Sequence, residues 1–508
     1  MLFAEPRLRE SALCRARDLP ERVLQFGEGN FLRAFFDWML ERMNRRDLFN
    51  GRAVLIQPIP EGACERINRQ NGLYNVLLRG IDAGVEVETR DLVTSVSRCV
   101  NPYREVDEFL RCAELPDLRF VVSNTTEAGI RIDPKDRLDS RPAPSFPGKL
   151  TQLLYARFQH FGGDPGKGWI MLPCELIERN GDALSAAVLQ LAQDWSLPAE
   201  FSDWLSQACV FTNTLVDRIV TGFPKDEAEQ LTLELGYRDA LLVLGEVFHC
   251  WVIESPRSLE EELPLVRAGL DVTWTHDMTP YRERKVRILN GSHTLIALCG
   301  FLSGKDTVRD CMNDALFRTY VEATLEQEIL PTLSLPRAEV SKFAASVLDR
   351  FDNPCIRHRL IDISLNSVSK YKARLLGTVL DNQRKFGKPS PRIAFALASL
   401  LAFYRGQGSE DSGLVGKRAQ GPYPIRDEAS VLSFFQSAWA PAADGRCSDA
   451  FCTNLVTQTL ARQDFWGCAM NEVCPGFARD VAEHLHAICN VGPRAALERL
   501  VGALATDS

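Results

Sequence analysis

Long apolar runs are absent from this sequence of 508 residues. No stretch approaches the roughly 20 consecutive apolar residues that a membrane-spanning helix requires. Residues 1–10 also lack the apolar core of a signal peptide. A hydrophobic content of 45% and a charged content of 25% are typical of a soluble globular protein. We therefore expect a cytoplasmic protein with no membrane partner.

A metal-ligand pattern is also missing, although the sequence contains fifteen cysteines. Their number is odd, no Cys-x-x-Cys pair occurs, and the closest pairs do not have the spacing of a zinc ribbon. His484 and His486 are two positions apart, so a helix would point them to different sides. In a reducing compartment the cysteines would be small buried side chains. We expect no metal site.

An excess of positive charge is absent as well. The net charge of −8 argues against nucleic acid or an anionic membrane surface as a partner. It is compatible with an anionic small molecule, because a local group of lysines and arginines can override the global sign. The length predicts two or three domains. For the oligomeric state, we expect a monomer or a small homo-oligomer.

The first half of the chain alternates between strand and helix patterns. Apolar runs that predict strands lie at 22–26, 53–58, 84–93, 120–123, 169–173 and 208–213. Helical periodicity lies between them, at 31–44, 148–161 and 183–197. This order predicts a mostly parallel, doubly wound α/β sheet of the Rossmann type.

The second half is mainly helical in pattern. Amphipathic helices are predicted at 281–302, 311–327, 337–351, 368–385, 391–406, 428–438 and 478–489. The stretch 406–426 is rich in Gly, Ser, Asp and Pro and is typical of a surface loop. We place the domain boundary between 255 and 280. The predicted division is an N-terminal extension (1–20), a Rossmann-type dinucleotide-binding domain (21–275) and an α-helical domain (276–508).

A glycine turn joins the first strand to the first helix. Gly27 and Gly29 form the start of a dinucleotide-binding pattern, but Leu32 occupies the place of its third glycine. Such a turn brings backbone N–H groups to a helix start, where a pyrophosphate is favoured, and Arg33 could add a positive charge. The alternative is an ordinary strand-to-helix turn with a surface arginine.

The other strand ends carry weaker signals. The second strand ends in Gln57 and Pro58, without the acidic residue that grips an adenosine ribose, so NAD and NADP both remain open. Residues 123–129 form either a ligand loop at the carboxyl edge of the sheet or a plain capped turn. Asp217 and Arg218, soon after Asn213, are most often a structural pair.

The most chemically suggestive segment begins a helix of the second half. Lys285, Asn290 and His293 would share one half of a regular helix, with the histidine between the other two, at about 100° per residue. This arrangement suits the removal of a proton from an alcohol while an amide holds the resulting oxygen. The alternative is a solvated helix face, since several charged residues are neighbours, Arg284 and Arg287 among them.

Together these segments resemble the mannitol dehydrogenase family of polyol-specific long-chain dehydrogenases and reductases, over about residues 20 to 500. The matching motifs are Gly27-x-Gly29-x-Phe31-x-Arg33-Ala34, Asn213-x-x-Val216-Asp217-Arg218 and Lys285-x4-Asn290-x2-His293. The resemblance implies an NAD-binding Rossmann-type domain followed by a helical domain. The residues that it implies for the cofactor are Phe26, Gly27, Gly29, Asn30, Phe31, Arg33, Gln57, Thr126 and Glu127.

The resemblance also implies a mechanism without a metal. Lys285 would be the general acid/base, Asn213 and Asn290 would steady the substrate oxygen, and His293 would orient or bind the substrate. A ketone that receives hydride develops negative charge on its oxygen, and preorganised amide donors stabilise that charge.

Within the family, the chain is most similar to the tagaturonate reductases, through 25–38, 123–129, 173–181 and 365–372. The mannitol enzymes tend to have an arginine where Asp362 stands, which argues against a neutral polyol substrate. The resemblance implies an NAD-dependent enzyme that interconverts D-tagaturonate and D-altronate. Lys370, or else Arg357, His358 or Lys372, would bind the carboxylate of the sugar acid. A fructuronate or mannitol-type enzyme, or a non-catalytic dinucleotide sensor, is the alternative.

Overall fold

The computed structural model describes residues 18–125, 129–408, 413–442, 447–474 and 476–506. The chain divides into two compact units. Of the described residues, the first unit comprises those up to Gly80 together with those between Glu86 and Met278, and the second comprises Ile81–Val85 and those from Thr279 onwards. Within the described ranges, no helix has both the length and the apolar character needed to cross a membrane.

The first unit is built on parallel strands. The strands are β1 (Glu21–Phe26), β2 (Arg52–Ile56), β3 (Tyr74–Asp82), β4 (Val85–Val93), β5 (Val96–Val100), β6 (Phe120–Ser123), β7 (Ile170–Pro173), β8 (Val210–Phe211), β9 (Asn213–Asp217), β10 (Val220–Gly222), β11 (Val243–Glu246), β12 (Cys250–Glu254) and β13 (Val272–Thr275). The main sheet has the order β5-β2-β1-β6-β7-β8, and each neighbouring pair is parallel. This is the doubly wound order, and the predicted fold class is confirmed.

Helices cover both faces of this sheet. They are α1 (Asn30–Ala34), α2 (Phe36–Asn44), α3 (Cys64–Arg69), α4 (Val106–Arg111), α5 (Phe146–His160), α6 (Asn180–Asp194), α7 (Ala199–Ala208) and α8 (Ala228–Leu235). Alternation along β1 explains the two layers. Val23 packs into the core that contains α1 and α2, whereas Leu24 and Phe26 pack into the core that contains α5 and α6. A strand buried on both faces is apolar throughout, as the sequence shows.

Two smaller sheets extend the first unit, in the orders β10-β11-β3-β4 and β13-β12-β9. Most of their strands were not predicted from the sequence, and several of these are short: β10 has three residues, and β11 and β13 have four each. β4 is the exception, since it was predicted at 84–93, although its stretch from Val85 to Arg90 is exposed apart from Val87, which is only partly buried.

The second unit is mainly helical, as predicted. Its helices are α9 (Thr279–Arg284), α10 (Gly291–Leu302), α11 (Val308–Met312), α12 (Ala315–Thr324), α13 (Arg337–Asp352), α14 (Leu360–Ile363), α15 (Ser367–Tyr371), α16 (Gly377–Asp381), α17 (Pro391–Phe403), α18 (Ala429–Trp439), α19 (Asp449–Leu460), α20 (Gln463–Trp466), α21 (Met470–Val473), α22 (Phe477–Val491) and α23 (Pro493–Thr506). π-helical segments continue four of them, at Lys285–Asn290, Leu325–Ile329, Lys372–Leu376 and Asn382–Phe386.

The predicted surface loop at 406–426 is wrong. The described part of this stretch forms a small antiparallel sheet of β14 (Gly406–Gly408), β15 (Leu414–Arg418) and β16 (Gly421–Ile425). Leu414, Tyr423 and Ile425 are buried, and the Tyr423 ring stacks on Phe403 with centroids 4.8 Å apart. The glycines and prolines of this stretch concealed a strand that buries alternate side chains.

Candidate active site

The two glycines of the turn after β1 lie in different surroundings. Gly27 has a φ of +111°, and a Cβ there would lie 2.7 Å from the Asn124 carbonyl oxygen. The protein itself therefore requires glycine at this position. A Cβ at Gly29 would meet no protein atom within 4 Å, and the residue is exposed. The space in front of Gly29 is open to a ligand that approaches the backbone.

The turn lies beside the loop that follows β6. The Asn124 backbone N–H donates to the Phe26 carbonyl at 3.0 Å. β1 and β6 are neighbours at the point where the strand order reverses, which is where doubly wound sheets bind ligands. The Phe26 side chain itself is buried against Phe146. Thr126 and Glu127, which the resemblance assigned to the cofactor, lie outside the described residues.

Glu175 holds this second loop in place. Its carboxylate accepts hydrogen bonds from the Ser123 hydroxyl at 3.0 Å and from the Thr125 backbone N–H at 3.1 Å and hydroxyl at 3.0 Å. Burial raises the pKa of Glu175, against these hydrogen bonds. This residue was not predicted as a functional one from the sequence, because a glutamate just after a strand is usually exposed.

Arg33 points into the protein instead of towards a phosphate. Its guanidinium donates to the Glu28 carbonyl at 3.2 Å, to the Leu241 carbonyl, and to the Asn30 side-chain oxygen at 2.6 Å. Only 6% of the residue is exposed. Asn30 itself is exposed, and the partly buried Phe31 stacks on Phe35 with centroids 4.9 Å apart. Through these contacts Arg33 holds the glycine turn from the side that faces the protein interior.

Gln57 is also engaged within the protein. Its amide nitrogen donates to the Ile59 and Pro60 carbonyls, each at 2.9 Å, and its oxygen accepts from the Cys64 backbone N–H at 3.1 Å. It therefore fixes the loop between β2 and α3. This loop lines a cleft of about 570 Å³ at the carboxyl ends of β2 and β5, whose other lining residues include Glu61, Asn101 and Arg104. We call it the β2–β5 cleft.

The Asn213 side chain has all its hydrogen-bonding groups occupied. Its nitrogen donates to Asp182 at 3.1 Å and to Glu254 at 3.0 Å. Its oxygen accepts from the backbone N–H groups of Gly181 at 3.0 Å and Asp182 at 3.1 Å. Asn213 thus caps the first turn of α6, where the sequence analysis expected an amide directed at a substrate oxygen.

Arg218 is structural, as the sequence analysis expected. Its guanidinium donates to the Ala34, Phe248 and Val247 carbonyls and lies 4.2 Å from the Trp38 ring centroid.

In the second unit, Lys285 and Asn290 are the first and last residues of a π-helical segment. The regular α-helix predicted here is wrong at this point. A turn with i to i+5 hydrogen bonds is wider than an α-helical one, so Lys285 and Asn290 lie closer together round the helix axis than the about 140° expected for a regular α-helix. Both are partly buried. The π-helical turn therefore brings the amine and the amide to one side, and such turns are frequent at functional sites.

The neighbouring arginines do not form a solvated face. Arg284 is buried, donates to Glu339 at 2.6 Å, and lies over the Phe343 ring at 4.5 Å. Arg287 pairs with Asp381 at 2.6 Å, and both of these side chains are largely buried. These pairs anchor the helix on either side of Lys285, so the simple alternative of a solvated helix face does not hold.

His293 lies in a group of cations and imidazoles. Its ring packs 4.5 Å from the Phe351 ring and 4.6 Å from the His358 ring. Burial, followed by His358 and three positive side chains, holds the pKa of His293 well below its usual value. We name the members the His293 cluster: His293, Arg350, His358, Lys370 and Arg374.

Two cations of this cluster are held in place by hydrogen bonds within the protein. The Lys370 amine donates to the Ile363 carbonyl at 2.9 Å, and the Arg374 guanidinium donates to the Thr294 hydroxyl at 3.2 Å. Burial lowers the pKa of both side chains, and Arg374 adds to the effect on Lys370. Positive charge is thus gathered beside two neutral imidazoles, an arrangement that favours an anion.

Of the four residues that were assigned to the substrate carboxylate, two lie in the His293 cluster and two lie outside it. His358 and Lys370 belong to the His293 cluster. Arg357 is exposed, and so is Lys372, whose amine lies near Gly467, just after the end of α20. Arg350 was missed, although a signal exists. It continues the buried stripe of α13, whose members are Val340, Phe343, Ala344, Val347, Arg350 and Phe351.

Within the described ranges, no group of three or more His, Cys, Asp and Glu side chains is arranged to hold a metal ion.

Comparisons with known proteins agree with this fold and these segments. Residues 21–267 match the mannitol dehydrogenase Rossmann domain, and residues 277–422 match the mannitol dehydrogenase C-terminal domain. The altronate oxidoreductase of Enterobacter sp. (strain 638) is 45% identical over 482 residues, which are 95% of this chain and 97% of that protein.

Two solved structures share the fold. One is D-sorbitol dehydrogenase in its substrate-free form, with a TM-score of 0.78 and 22% identity over 94% of this chain and 95% of that chain. The other is the Pseudomonas fluorescens mannitol 2-dehydrogenase ternary complex with NAD and D-mannitol, with a TM-score of 0.65 and 23% identity over 98% of this chain and 97% of that chain. The chain therefore belongs to the mannitol dehydrogenase family and is an oxidoreductase of the polyol and sugar-acid dehydrogenase type.

Proposed function

We propose that the chain is an NAD-dependent altronate oxidoreductase, which interconverts D-tagaturonate and D-altronate by hydride transfer without a metal. The first unit holds the dinucleotide, and the second unit holds the sugar acid. The observation that carries this proposal is the His293 cluster, because a group of cations that are buried or partly buried fits a substrate with a carboxylate. The 45% identity to an altronate oxidoreductase over 95% of the chain supports the same substrate.

The glycine turn and the β2–β5 cleft are the proposed cofactor site. The open space before Gly29 admits a pyrophosphate to the backbone, and Asn30 and Phe31 border it. Arg33 and Gln57 are positioning residues, since their side chains hold the turn and the loop. Glu61 lines the cleft, and we propose that its carboxylate accepts the adenosine ribose hydroxyls. The same carboxylate would repel a 2′-phosphate, which favours NAD over NADP.

The Lys285 segment is the proposed catalytic centre. A bound reduced nicotinamide supplies the hydride to the keto carbon. The Lys285 ammonium then gives a proton to the developing alkoxide, and in the oxidative direction the neutral amine takes that proton back. The Asn290 amide donates to the same oxygen and stabilises its charge. Asn213 is proposed as a positioning residue, because it fixes the start of α6 through its side chain.

The His293 cluster is the proposed carboxylate site. Lys370 and Arg374 provide the charge, and His293 and His358 remain neutral donors because burial lowers the pKa of each. A neutral polyol would make no charge-assisted hydrogen bond with these cations, at a cost in binding. Asp362 lies near His358 and raises its pKa in part. The second unit therefore favours an acid sugar over a neutral one.

A substrate panel tests this proposal. The purified chain is assayed with D-tagaturonate, D-fructuronate and D-fructose, each with NADH and with NADPH. We expect the highest kcat/KM with D-tagaturonate and NADH, and a value for fructose lower by about 100-fold, since charge-assisted hydrogen bonds contribute about 1.5–3 kcal/mol each. Faster turnover of fructose would refute the carboxylate site. A preference for fructuronate would make the chain a fructuronate reductase, and tight NADH binding without turnover would make it a sensor.

A further inference from the structure

Two thiols meet at the edge of the β2–β5 cleft. Cys64 begins α3 and lines the cleft, and Cys99 lies in β5. The two side chains interact with each other, and the Asn68 amide contacts both residues. Cys64 is 5% exposed and Cys99 is 2% exposed. A small molecule in the cleft can therefore reach the Cys64 thiol, whereas it can reach the Cys99 thiol only past Cys64.

Asn68 holds this pair together. Its amide nitrogen donates to the Cys99 carbonyl at 2.7 Å and to the Cys64 sulfur at 3.7 Å. Its oxygen accepts from the Cys99 backbone N–H at 2.8 Å. The Cys64 sulfur thus accepts from the Asn68 amide, which stabilises a thiolate there, and Asn68 holds the Cys99 backbone on its other side.

The electrostatics give the two thiols different roles. The hydrogen bond from Cys99 lowers the pKa of Cys64, and Arg104 adds to this effect against the opposing influence of burial, Glu28 and Glu105. The same hydrogen bond, together with burial, raises the pKa of Cys99. Cys64, which lines the cleft, is therefore the more acidic thiol of the pair. A thiolate that is accessible from a cleft and lies beside a second thiol has the features of a redox-reactive cysteine.

We propose that Cys64 is a peroxide-reactive thiol, that Cys99 resolves its oxidised form into a disulfide, and that this disulfide weakens dinucleotide binding in the β2–β5 cleft. The last clause rests on the proposed function, which assigns the cleft to the cofactor.

The chemistry balances in two steps. The Cys64 thiolate attacks hydrogen peroxide, an S–O bond forms as the O–O bond breaks, and a sulfenic acid and hydroxide result. The Cys99 sulfur then attacks the Cys64 sulfur, an S–S bond forms as the S–O bond breaks, and hydroxide leaves with the Cys99 proton as water. Sulfur loses two electrons in all, and the peroxide accepts them.

The disulfide would alter the wall of the cleft. An S–S bond of about 2.05 Å is shorter than any contact between hydrogen-bonded thiols, so it draws Cys64 towards β5. The Cys64 backbone N–H donates to Gln57 at 3.1 Å, and the Ala63 backbone N–H donates to Glu28 at 3.1 Å. Movement of Cys64 therefore disturbs the loop that Gln57 and Glu28 hold beside the glycine turn.

The test treats the full-length protein with stoichiometric hydrogen peroxide and maps disulfides by mass spectrometry. We expect a Cys64–Cys99 disulfide and a severalfold rise in the dissociation constant for NADH, measured by fluorescence, and we expect dithiothreitol to reverse both. In Cys99→Ser, the Cys64 sulfenic acid should persist and react with dimedone. In Cys64→Ser, the NADH affinity should be the same before and after peroxide.

A matched control lies in the second unit. Cys447 contacts Cys452 and Cys489, far along the chain from the cleft, and Cys447→Ser should respond to peroxide like the wild type. The proposal is overturned if peroxide leaves Cys64 and Cys99 unlinked, or if Cys64→Ser loses NADH affinity as the wild type does. Disulfide mapping decides the thiol chemistry without reference to NADH. If the untreated protein does not bind NADH, the proposed function fails, and the effect on cofactor binding fails with it.

Discussion

The imidazole of His293 meets that of His358 edge to face, with ring centroids 4.6 Å apart and an angle of 73° between the rings. Two imidazoles in such contact cannot both carry a charge at low cost, and the nearby cations oppose the protonation of either. Both pKa values are lowered accordingly. The pair therefore offers neutral hydrogen-bonding groups, while Arg350, Lys370 and Arg374 supply the positive charge.

Arg374 should determine the preference for an acid substrate. We expect Arg374→Gln to raise the KM for D-tagaturonate by about 10- to 100-fold, because it removes a charge-assisted contact to the carboxylate. The kcat/KM for D-fructose should change little. Steady-state kinetics with both substrates measure this difference. Lys372→Gln is the control, since Lys372 is exposed outside the cluster, and an equal loss on both substrates would show that Arg374 only supports the fold.

The fold was largely readable from the sequence because the central strands are apolar on both faces. β1, β6 and β7 fall within a residue or two of their predicted positions, and the alternation of strand and helix fixes the topology. Strands that bury only one face were harder to detect. β15 and β16 alternate buried and exposed residues among glycines and prolines, and their pairing depends on distant side chains such as Phe403.

Asn290 should stabilise the developing oxyanion. We expect Asn290→Ala to lower kcat by about 10²- to 10³-fold, which is the usual cost of removing one oxyanion donor. The dissociation constant for NADH should not change, since Asn290 lies in the second unit. Stopped-flow measurement of NADH oxidation and fluorescence titration give the two values. Asn313→Ala, at an exposed position of the same unit, serves as the control, and an unchanged kcat in Asn290→Ala would count against the oxyanion role.

The candidate site shows where prediction from sequence stops. The spacing of Lys285, Asn290 and His293 indicated a shared face, but a uniform helix angle gave the wrong relation between the first two. The π-helical turn depends on packing against the segment Lys372–Leu376, and a Cβ at Gly291 would lie 3.3 Å from Leu375. Such contacts join residues that are distant in sequence, and periodicity cannot reveal them.

The side chains of Asn213 and Arg33 show the same limit of prediction from sequence. Both match family motifs, yet both are fully engaged with neighbours in the fold. A motif gives the position of a residue along the chain, whereas the direction of its side chain depends on which partners surround it. Both are therefore assigned to positioning.

Asp37 should make stability depend on pH. Its carboxylate accepts from Tyr74 at 2.7 Å, and burial raises its pKa from 3.8 to about 7. Between these two values the unfolded chain loses a proton that the folded chain keeps, so the contribution of Asp37 to stability is largest below pH ~4 and is lost as the pH rises to about 7. The loss is on the order of 4 kcal/mol.

Asp37→Asn should reduce this loss. We expect its melting temperature relative to the wild type to be higher at pH 8 than at pH 5, as measured by thermal unfolding. Asp203→Asn, at an exposed position of α7, should show no such difference. If Asp37→Asn and the wild type lose stability equally between pH 5 and pH 8, the buried carboxyl does not titrate in this range.

Chelation should not inhibit the enzyme. The residues that the structure describes contain no metal-binding group of three or more His, Cys, Asp and Glu side chains, and the proposed mechanism uses an amine and an amide in place of a Lewis acid. We expect dialysis against EDTA to leave kcat unchanged with D-tagaturonate and NADH. A loss of activity that a divalent cation restores would contradict the metal-independent mechanism.

The most direct test of the account is Lys285→Ala, with kcat and the dissociation constant for NADH measured on the same preparation. A general acid/base contributes about 10²- to 10⁴-fold, so the account predicts a fall in kcat of that size with NADH binding unchanged. Lys342→Ala, at an exposed position of α13, should match the wild type in both. Wild-type turnover in Lys285→Ala, or a parallel loss of turnover and NADH binding, would contradict the assignment of Lys285 as the proton donor.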